Sequence, residues 1–161
     1  MQDQLVPLLP AIRRFAYSLT GAPADADDLL QMTVERLLTR SVPDDVELLK
    51  WAFRVCRNLW IDEYRARQVR QRATENPALR ASVVDGEAAI HNHISVGEVN
   101  AAMQELPDEQ RTILALVAVE GLAYKDVAQA LQVPLGTVMS RLARARAALA
   151  DRFRDSAGVK V

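Results

Sequence analysis

The sequence predicts an all-α protein of two small helical domains, and three observations support that prediction. Apolar residues recur at intervals of three and four along most of the chain, as they do on one face of a helix. No stretch of useful length alternates apolar and polar residues, so no sheet is expected. Aromatic residues make up only 5% of the chain, while alanine, leucine, valine and arginine are plentiful, and this composition favours helices.

Three helices are predicted in the N-terminal part. The first carries apolar residues at helical spacing over 5–19 and ends at Gly21. The second places its apolar face over 26–37, and Pro43 marks the break that follows. The third is long and runs over about 47–70.

The C-terminal part begins after an interruption. Residues 73–95 are rich in polar residues with weak periodicity, so we interpret them as a flexible linker. Helices are then predicted over about 95–106, 113–121, 124–131 and 135–153. The predicted organisation is therefore a domain at 1–72, a linker at 73–95 and a second domain at 96–161.

Charge is distributed unevenly along a chain whose formal net charge is −1. Six arginines stand within 54–72 against two acids, and five stand within 134–154 against one acid. Acidic residues collect elsewhere, at 25–28 and 44–47. Because local charge decides which surface meets a polyanion, the two basic segments favour a nucleic-acid partner.

Several classes of protein are not expected. The single cysteine, Cys56, falls on an apolar helix face and is interpreted as an inert core residue. There is no signal-peptide pattern and no apolar run of membrane-spanning length, so we expect a cytoplasmic protein without membrane insertion. His91 and His93 lack the neighbouring ligands of a metal site, and no phosphate loop or nucleophile motif occurs. We therefore expect no catalytic residue, no metal, no cofactor and no enzymatic activity.

The most informative segment, residues 122–146, has the form of a helix-turn-helix. Its first helix packs through Val127, Ala128 and Leu131, and a tight turn follows. Pro134 suits the first turn of the second helix, because its missing N–H costs nothing there. In such a unit the first helix braces the second, which enters the DNA major groove by its N-terminus.

The second helix of this unit has two faces when it is projected at 100° per residue. The predicted apolar stripe recurs at helical spacing and consists of Leu135, Val138, Leu142, Ala145 and Leu149. Thr137, Ser140 and Arg144 point away from that stripe, and Arg141 flanks them. Since hydroxyls reach phosphates, and arginines reach phosphates or guanine edges, these four residues are candidate DNA contacts.

The long helix of the N-terminal part also has two faces. The inward arc is apolar and consists of Leu48, Leu49, Ala52, Val55, Cys56, Leu59 and Trp60. The opposite arc is mostly cationic and consists of Lys50, Arg54, Arg57, Asn58, Ile61 and Arg65. Such a stripe suits a phosphate backbone, with its amide and apolar groups left for unstacked bases.

The second predicted helix presents Asp28, Met32 and Glu35 outward. Exposed acid beside exposed methionine favours a protein partner over DNA.

Several segments resemble extracytoplasmic-function (ECF, group 4) sigma factors of the sigma-70 family. Residues Leu106–Arg111, Gly121–Tyr124 and Val133–Arg146 resemble domain four, and Asp25–Gln31 and Phe53–Arg65 resemble domain two. Two matches in the family's order are more specific than either one.

The chain departs from the common pattern of the family at three positions. Met139 stands where a basic residue is common, Ala143 where a bulky residue is frequent, and Met32 where glutamate is frequent.

The resemblance implies a role for each part of the chain. Sigma region 2, residues 1–72, would bind the minus-10 promoter element through the cationic arc of the long helix. The clamp helices of the largest polymerase subunit would bind Asp28, Gln31, Met32 and Glu35. Sigma region 4, residues 96–161, would bind the polymerase flap and, through Thr137, Ser140, Arg141 and Arg144, the minus-35 element.

The implied function is that of a sigma factor, which directs core RNA polymerase to specific promoters under control of an anti-sigma factor. Two alternatives remain: a sigma-like mimic that sequesters an anti-sigma factor, and a helix-turn-helix regulator that acts without polymerase. A flexible linker of about 23 residues averages only about 25–30 Å end to end. In the free protein we therefore expect the domains to collapse onto each other or onto an anti-sigma factor, with both DNA-binding faces at least partly occluded.

Overall fold

The computed structural model describes residues 1–74 and 95–158, and the regular elements in these ranges are all helical. The helices are α1 (Gln2–Leu5), α2 (Leu9–Thr20), α3 (Pro23–Thr39), α4 (Leu48–Leu59), α5 (Arg65–Thr74), α6 (Val96–Gln104), α7 (Asp108–Leu114), α8 (Tyr124–Leu131) and α9 (Leu135–Gly158). A 3-10 turn, Val6–Leu8, joins α1 to α2, and π-helical turns follow α4 at Trp60–Tyr64 and α7 at Ala115–Val119. The all-α prediction is confirmed. We call residues 1–74 the N-terminal half and residues 95–158 the C-terminal half.

The helix ends follow the local chemistry of the sequence. Gly21 adopts a left-handed conformation with φ of 80°, and its N–H donates to the carbonyl of Tyr17 at 2.8 Å, which ends α2. Pro23 then occupies the first turn of α3, where no N–H partner is required. The hydroxyl of Ser95 accepts from the N–H of Glu98 at 3.1 Å and caps the start of α6.

Two of the predicted boundaries move outward. The long helix predicted over 47–70 is a continuous helical run that passes through the π-helical turn and ends at Thr74. Residues 73 and 74 of the predicted linker therefore belong to α5, Ser95 caps α6, and the remainder of the linker, with His91 and His93, lies outside the described residues. Helix α9 continues to Gly158, beyond its predicted end near Phe153.

The halves pack against each other around one continuous hydrophobic core. In the N-terminal half α2, α3 and α4 enclose Phe15 and Phe53, whose rings meet edge to face with centroids 5.1 Å apart. In the C-terminal half α7, α8 and α9 bury Ile113, Val127 and Val138. Helix α2 also contacts α6 and α7, and α4 contacts α8, so the expected collapse of the two halves onto each other is observed. No helix of the described ranges combines the length and the apolar character needed to cross a membrane.

Candidate nucleic-acid interface

Helices α8 and α9 form the helix-turn-helix unit that the sequence predicts. Gln132 ends α8 in a left-handed conformation with φ of 57°, and the N–H of Val133 donates to the carbonyl of Ala128 at 3.1 Å. Pro134 precedes α9, and its carbonyl accepts from the N–H of Thr137 at 3.0 Å, which starts the helix. The bracing contacts are apolar, because Val127, Leu131, Val138 and Leu142 are all buried.

The predicted minus-35 residues occupy the outer side of α9. Ser140 and Arg144 are exposed, while Thr137 and Arg141 are half-buried. The guanidinium of Arg141 pairs with the carboxylate of Glu109 at 3.3 Å, which holds it at the α7 edge of the surface. One part of the projection is wrong. Leu135, which was placed in the buried stripe, is 47% exposed, because the packing between α8 and α9 begins one turn later, at Val138.

Some residues of the cationic arc in the N-terminal half contact the C-terminal half, and others do not. Lys50 donates to a carboxylate oxygen of Asp126 at 2.8 Å and to the side-chain oxygen of Gln129 at 2.9 Å. Arg54 donates from Nε to the carbonyl of Ala130 at 2.7 Å and from Nη2 to the carbonyl of Gln129 at 2.8 Å. These are the last carbonyls of α8, where a cation also favours the helix dipole.

The contact between α4 and α8 shifts the pKa values of its charged groups. The hydrogen bond from Lys50 to Asp126 raises the pKa of Lys50 and lowers the pKa of Asp126. Burial lowers the pKa of Arg54, because it disfavours the charged form, and the nearby charge of Asp45 offsets this only in part. Farther along, Arg65 pairs with Asp108 of α7. Lys50, Arg54 and Arg65 are thus bound by the C-terminal half.

The other predicted minus-10 residues make no such contact among the interactions of the described residues. Arg57 donates to the side-chain oxygen of its neighbour Asn58 at 3.1 Å, and Asn58 is exposed. Ile61 was predicted to be exposed, but it is half-buried and packs against the core. It lies inside the π-helical turn, where a wider turn changes the direction of the side chains from that of an α-helix.

The predicted protein-binding surface on α3 is largely solvent-exposed. Asp28, Gln31 and Glu35 are exposed. Met32 is half-buried, and its sulfur accepts a contact of 3.6 Å from the guanidinium of Arg67 on α5. The prediction that Met32 points into solvent is therefore only partly correct, because α5 reaches back over it.

Comparison with known proteins identifies the family. The family described as Sigma-70 region 2 matches residues 6–70, and the one described as Sigma-70, region 4 matches residues 97–149. The ECF RNA polymerase sigma factor EcfG of Rhodopseudomonas palustris is 34% identical over 151 residues, covering 92% of this chain and 82% of that protein. The chain belongs to the ECF RNA polymerase sigma factors.

Other relatives support the assignment of the chain to this family. The ECF RNA polymerase sigma factor SigE of Mycolicibacterium smegmatis is 36% identical over 147 residues, covering 87% of this chain and 56% of that protein. Among solved structures, the sigma factor RpoE in complex with the anti-sigma factor NepR from Bartonella quintana has a TM-score of 0.71. It is 28% identical and covers 95% of this chain and 96% of that chain.

Arg111 of the sigma factor is a residue whose role the sequence did not reveal. It is 8% exposed and donates to four backbone carbonyls at 2.8–2.9 Å, those of Met103, Gln104, Leu106 and, across the two halves, Leu19. Its guanidinium lies 5.2 Å from the ring centroid of Trp60, and burial lowers its pKa to about 10. The local hint of its burial in the sequence is that Arg111 stands two positions before the apolar pair Ile113 and Leu114. Arg111 joins the halves.

A second residue that the sequence did not reveal is Glu120, which follows the π-helical turn after α7. Its side chain is 2% exposed, and one oxygen accepts from the guanidinium of Arg14 in α2 at 3.1 Å. The other oxygen is buried and has no hydrogen-bond partner among the described residues. Burial raises the pKa of this carboxyl.

Cys56 of the sigma factor is fully buried beside Thr33, and its burial raises the pKa of the thiol to about 12. The predicted placement of Cys56 in the core is confirmed by its burial, and the raised pKa opposes formation of the thiolate.

Proposed function

We propose that this sigma factor directs core RNA polymerase to promoters that contain separate minus-10 and minus-35 elements. The observation that supports this proposal most strongly is the presence, in one chain, of two separate surfaces whose side chains suit DNA: the cationic arc of α4 and the outer side of α9. A helix-turn-helix repressor requires the second surface but has no use for the first. The sigma factor acts by positioning the polymerase and DNA, and it catalyses no reaction itself.

Each predicted residue has a role in this proposal. Ser140 and Arg144, flanked by Thr137 and Arg141, bind the minus-35 element. Arg57 and Asn58 bind the minus-10 element, together with Ile61 and the three cations that the C-terminal half now holds. The exposed groups of α3, Asp28, Gln31 and Glu35, with Met32 beside them, bind the clamp helices of the polymerase. Region 2 extends over 1–72 and region 4 over 96–161, and both work in the cytoplasm, where promoter DNA and polymerase meet.

The closed arrangement of the halves is the inactive state in this proposal. Lys50, Arg54 and Arg65 cannot bind DNA while Asp126, Asp108 and the α8 carbonyls hold them. Opening must therefore precede promoter melting. Only the cationic arc of α4 is occluded, because Ser140 and Arg144 on α9 remain exposed in the closed state. An anti-sigma factor that contacts both halves would stabilise the closed state, and the similar sigma factor RpoE is solved in complex with the anti-sigma factor NepR.

Run-off transcription tests the proposal. Purified core polymerase and the full chain are incubated with templates of randomised upstream sequence, and the transcribed templates are sequenced. We expect two short enriched elements at fixed separation. Replacing Ser140 and Arg144 by alanine should remove the upstream element. Arg154→Ala is the matched control, because Arg154 lies on the same helix, is 74% exposed and pairs with Asp151 at 3.1 Å.

The alternatives give different results in this assay. A regulator that acts without polymerase would bind a DNA sequence but support no transcript. A mimic would bind neither DNA nor core polymerase and would bind an anti-sigma factor alone. Either result would refute the proposed function.

A further inference from the structure

Helix α9 carries an exposed nonpolar ridge beside its predicted DNA contacts. The ridge consists of Leu135, Met139, Ala143 and Ala147, which follow each other at intervals of four and so lie in one line on the helix surface. All four residues are exposed, and the two large ones, Leu135 and Met139, are 47% and 52% exposed. The ridge starts at the N-terminal end of α9, which is the end that enters the major groove in a helix-turn-helix.

Two charged groups of α9 are held by neighbouring helices, whereas Arg144 is exposed. Arg141 pairs with Glu109 of α7 at 3.3 Å, and Arg146 donates to the hydroxyl of Tyr124 at the start of α8 at 3.4 Å. The space around Gly136 is open, since an added Cβ there would meet no atom within 4 Å. A DNA duplex that approaches the first two turns of α9 therefore meets Leu135 and Met139 directly, next to Ser140.

A nonpolar side chain in the major groove can distinguish bases by one feature. Each base pair presents donors and acceptors there, and thymine alone adds a methyl group at C5. Methionine suits such a contact, because its unbranched and polarizable side chain adapts to an irregular apolar surface. We propose that Met139, supported by Leu135, contacts thymine methyl groups and thereby determines a preference for thymine within the minus-35 element. This inference rests on the proposed promoter-binding function.

The same geometry separates two kinds of contribution to binding. A basic side chain at position 139 would bind a phosphate regardless of sequence and would release a counterion. Met139 releases none, so its contribution depends on the base sequence and not on salt. The substitution Met139→Arg should accordingly steepen the dependence of binding on salt by about one phosphate contact and weaken the preference for thymine.

Replacement of thymine by deoxyuracil tests the proposal, because it removes only the methyl group. The minus-35 element is first obtained by selection with holoenzyme assembled from the full chain and core polymerase. Each thymine is then replaced in turn, and holoenzyme binding is measured. At one or two positions we expect about a fourfold loss of affinity, equivalent to burying one methyl group. Met139→Ala should bind thymine and uracil templates equally, whereas Arg144→Ala should bind both more weakly and keep the difference.

The outcomes separate this inference from the function on which it rests. If no element is selected with holoenzyme, the proposed function fails and the inference fails with it. If an element is selected but every thymine tolerates replacement, the function stands and the role of Met139 is wrong. If Met139→Ala instead weakens binding to core polymerase in the absence of DNA, the ridge is a polymerase contact and the proposal is overturned.

Discussion

Glu120→Met should stabilise the protein, although it removes an ion pair between the two halves. The pair is unequal, because the side chain of Glu120 is 2% exposed whereas that of Arg14 is 56% exposed. Without Glu120, water solvates the guanidinium of Arg14, so the loss of interaction free energy there is small. Glu120 has one oxygen that is buried without a hydrogen-bond partner among the described residues, and methionine of similar length removes that group.

The magnitude follows from the difference between two terms. A buried polar group without a partner costs about 1–3 kcal/mol, and a solvated ion pair returns about 0–1 kcal/mol. The net stabilisation is therefore about 0–3 kcal/mol, with a midpoint of about 1.5 kcal/mol. For a chain of 161 residues this midpoint corresponds to a rise in Tm of about 3–6 °C.

The effect of Glu120→Met should also depend on pH. Burial raises the pKa of Glu120 in the folded protein, so the folded state binds the proton more tightly than the unfolded state. The stability that Glu120 contributes is therefore present below its unfolded pKa and is lost as pH rises through its folded pKa. The advantage of the methionine variant should be small near pH 4 and complete near pH 7.

Urea unfolding monitored by tryptophan fluorescence at several pH values measures this difference. Glu120→Gln is the matched control, because it keeps the shape and the acceptor for Arg14 while it removes the charge. Glu120→Gln should also raise the free energy of unfolding, but by less than Glu120→Met, because its amide stays buried. The reasoning is refuted if the methionine variant is less stable than the wild type at pH 7, or if its advantage does not change with pH.

Three further predictions concern the binding surfaces. Asp126→Lys repels Lys50 and should raise the affinity of the free protein for single-stranded minus-10 DNA, measured by fluorescence anisotropy; unchanged affinity would show that the contact does not occlude the arc. Arg144→Ala should cost about 1–3 kcal/mol of minus-35 binding and relax the preference at one position, whereas an equal loss on all sequences would indicate a phosphate contact. Reversing the charges of Asp28 and Glu35 should weaken capture of core polymerase without lowering Tm, and undiminished capture would contradict the assigned surface.

Two of these variants have a matched control on the same molecule. Asp151→Lys makes the same charge change as Asp126→Lys on the exposed side of α9, where Asp151 pairs with Arg154 and not with the N-terminal half. It should leave minus-10 binding unchanged apart from a general electrostatic gain. Arg154→Ala is the corresponding control for Arg144→Ala.

The sequence was sufficient for features that depend on neighbours along the chain. Helical periodicity predicted the helices, and the turn chemistry of Gly21 and Pro134 predicted where they end or begin. The helix-turn-helix followed in the same way, because its bracing contacts join residues within about twenty positions. Cys56 was placed in the core by the same projection, and its burial confirms that placement.

The sequence was insufficient where distant residues decide the environment. Lys50 and Arg57 lie on one cationic arc, and nothing local distinguishes the cation that faces Asp126 from the one that does not. Projection at 100° per residue also fails at Ile61, because the π-helical turn changes the angle per residue. The burial of Arg111 requires carbonyls from both halves, which no helical projection brings together.

The contacts that close the molecule are well suited to exchange for DNA. Arg54 binds two carbonyls at the end of α8. Water can replace Arg54 there once the halves separate, and no charged group of α8 loses its partner, because carbonyls are neutral. In the proposed function Lys50 and Arg65 would leave carboxylates and gain phosphates, which present the same kind of oxygen to a cation. The exchange of these three cations is therefore nearly balanced, and the free energy of opening depends on the contacts that have no equivalent on the nucleic acid: the hydrogen bond from Arg111 to Leu19, the ion pair of Arg14 with Glu120, and the shared hydrophobic core.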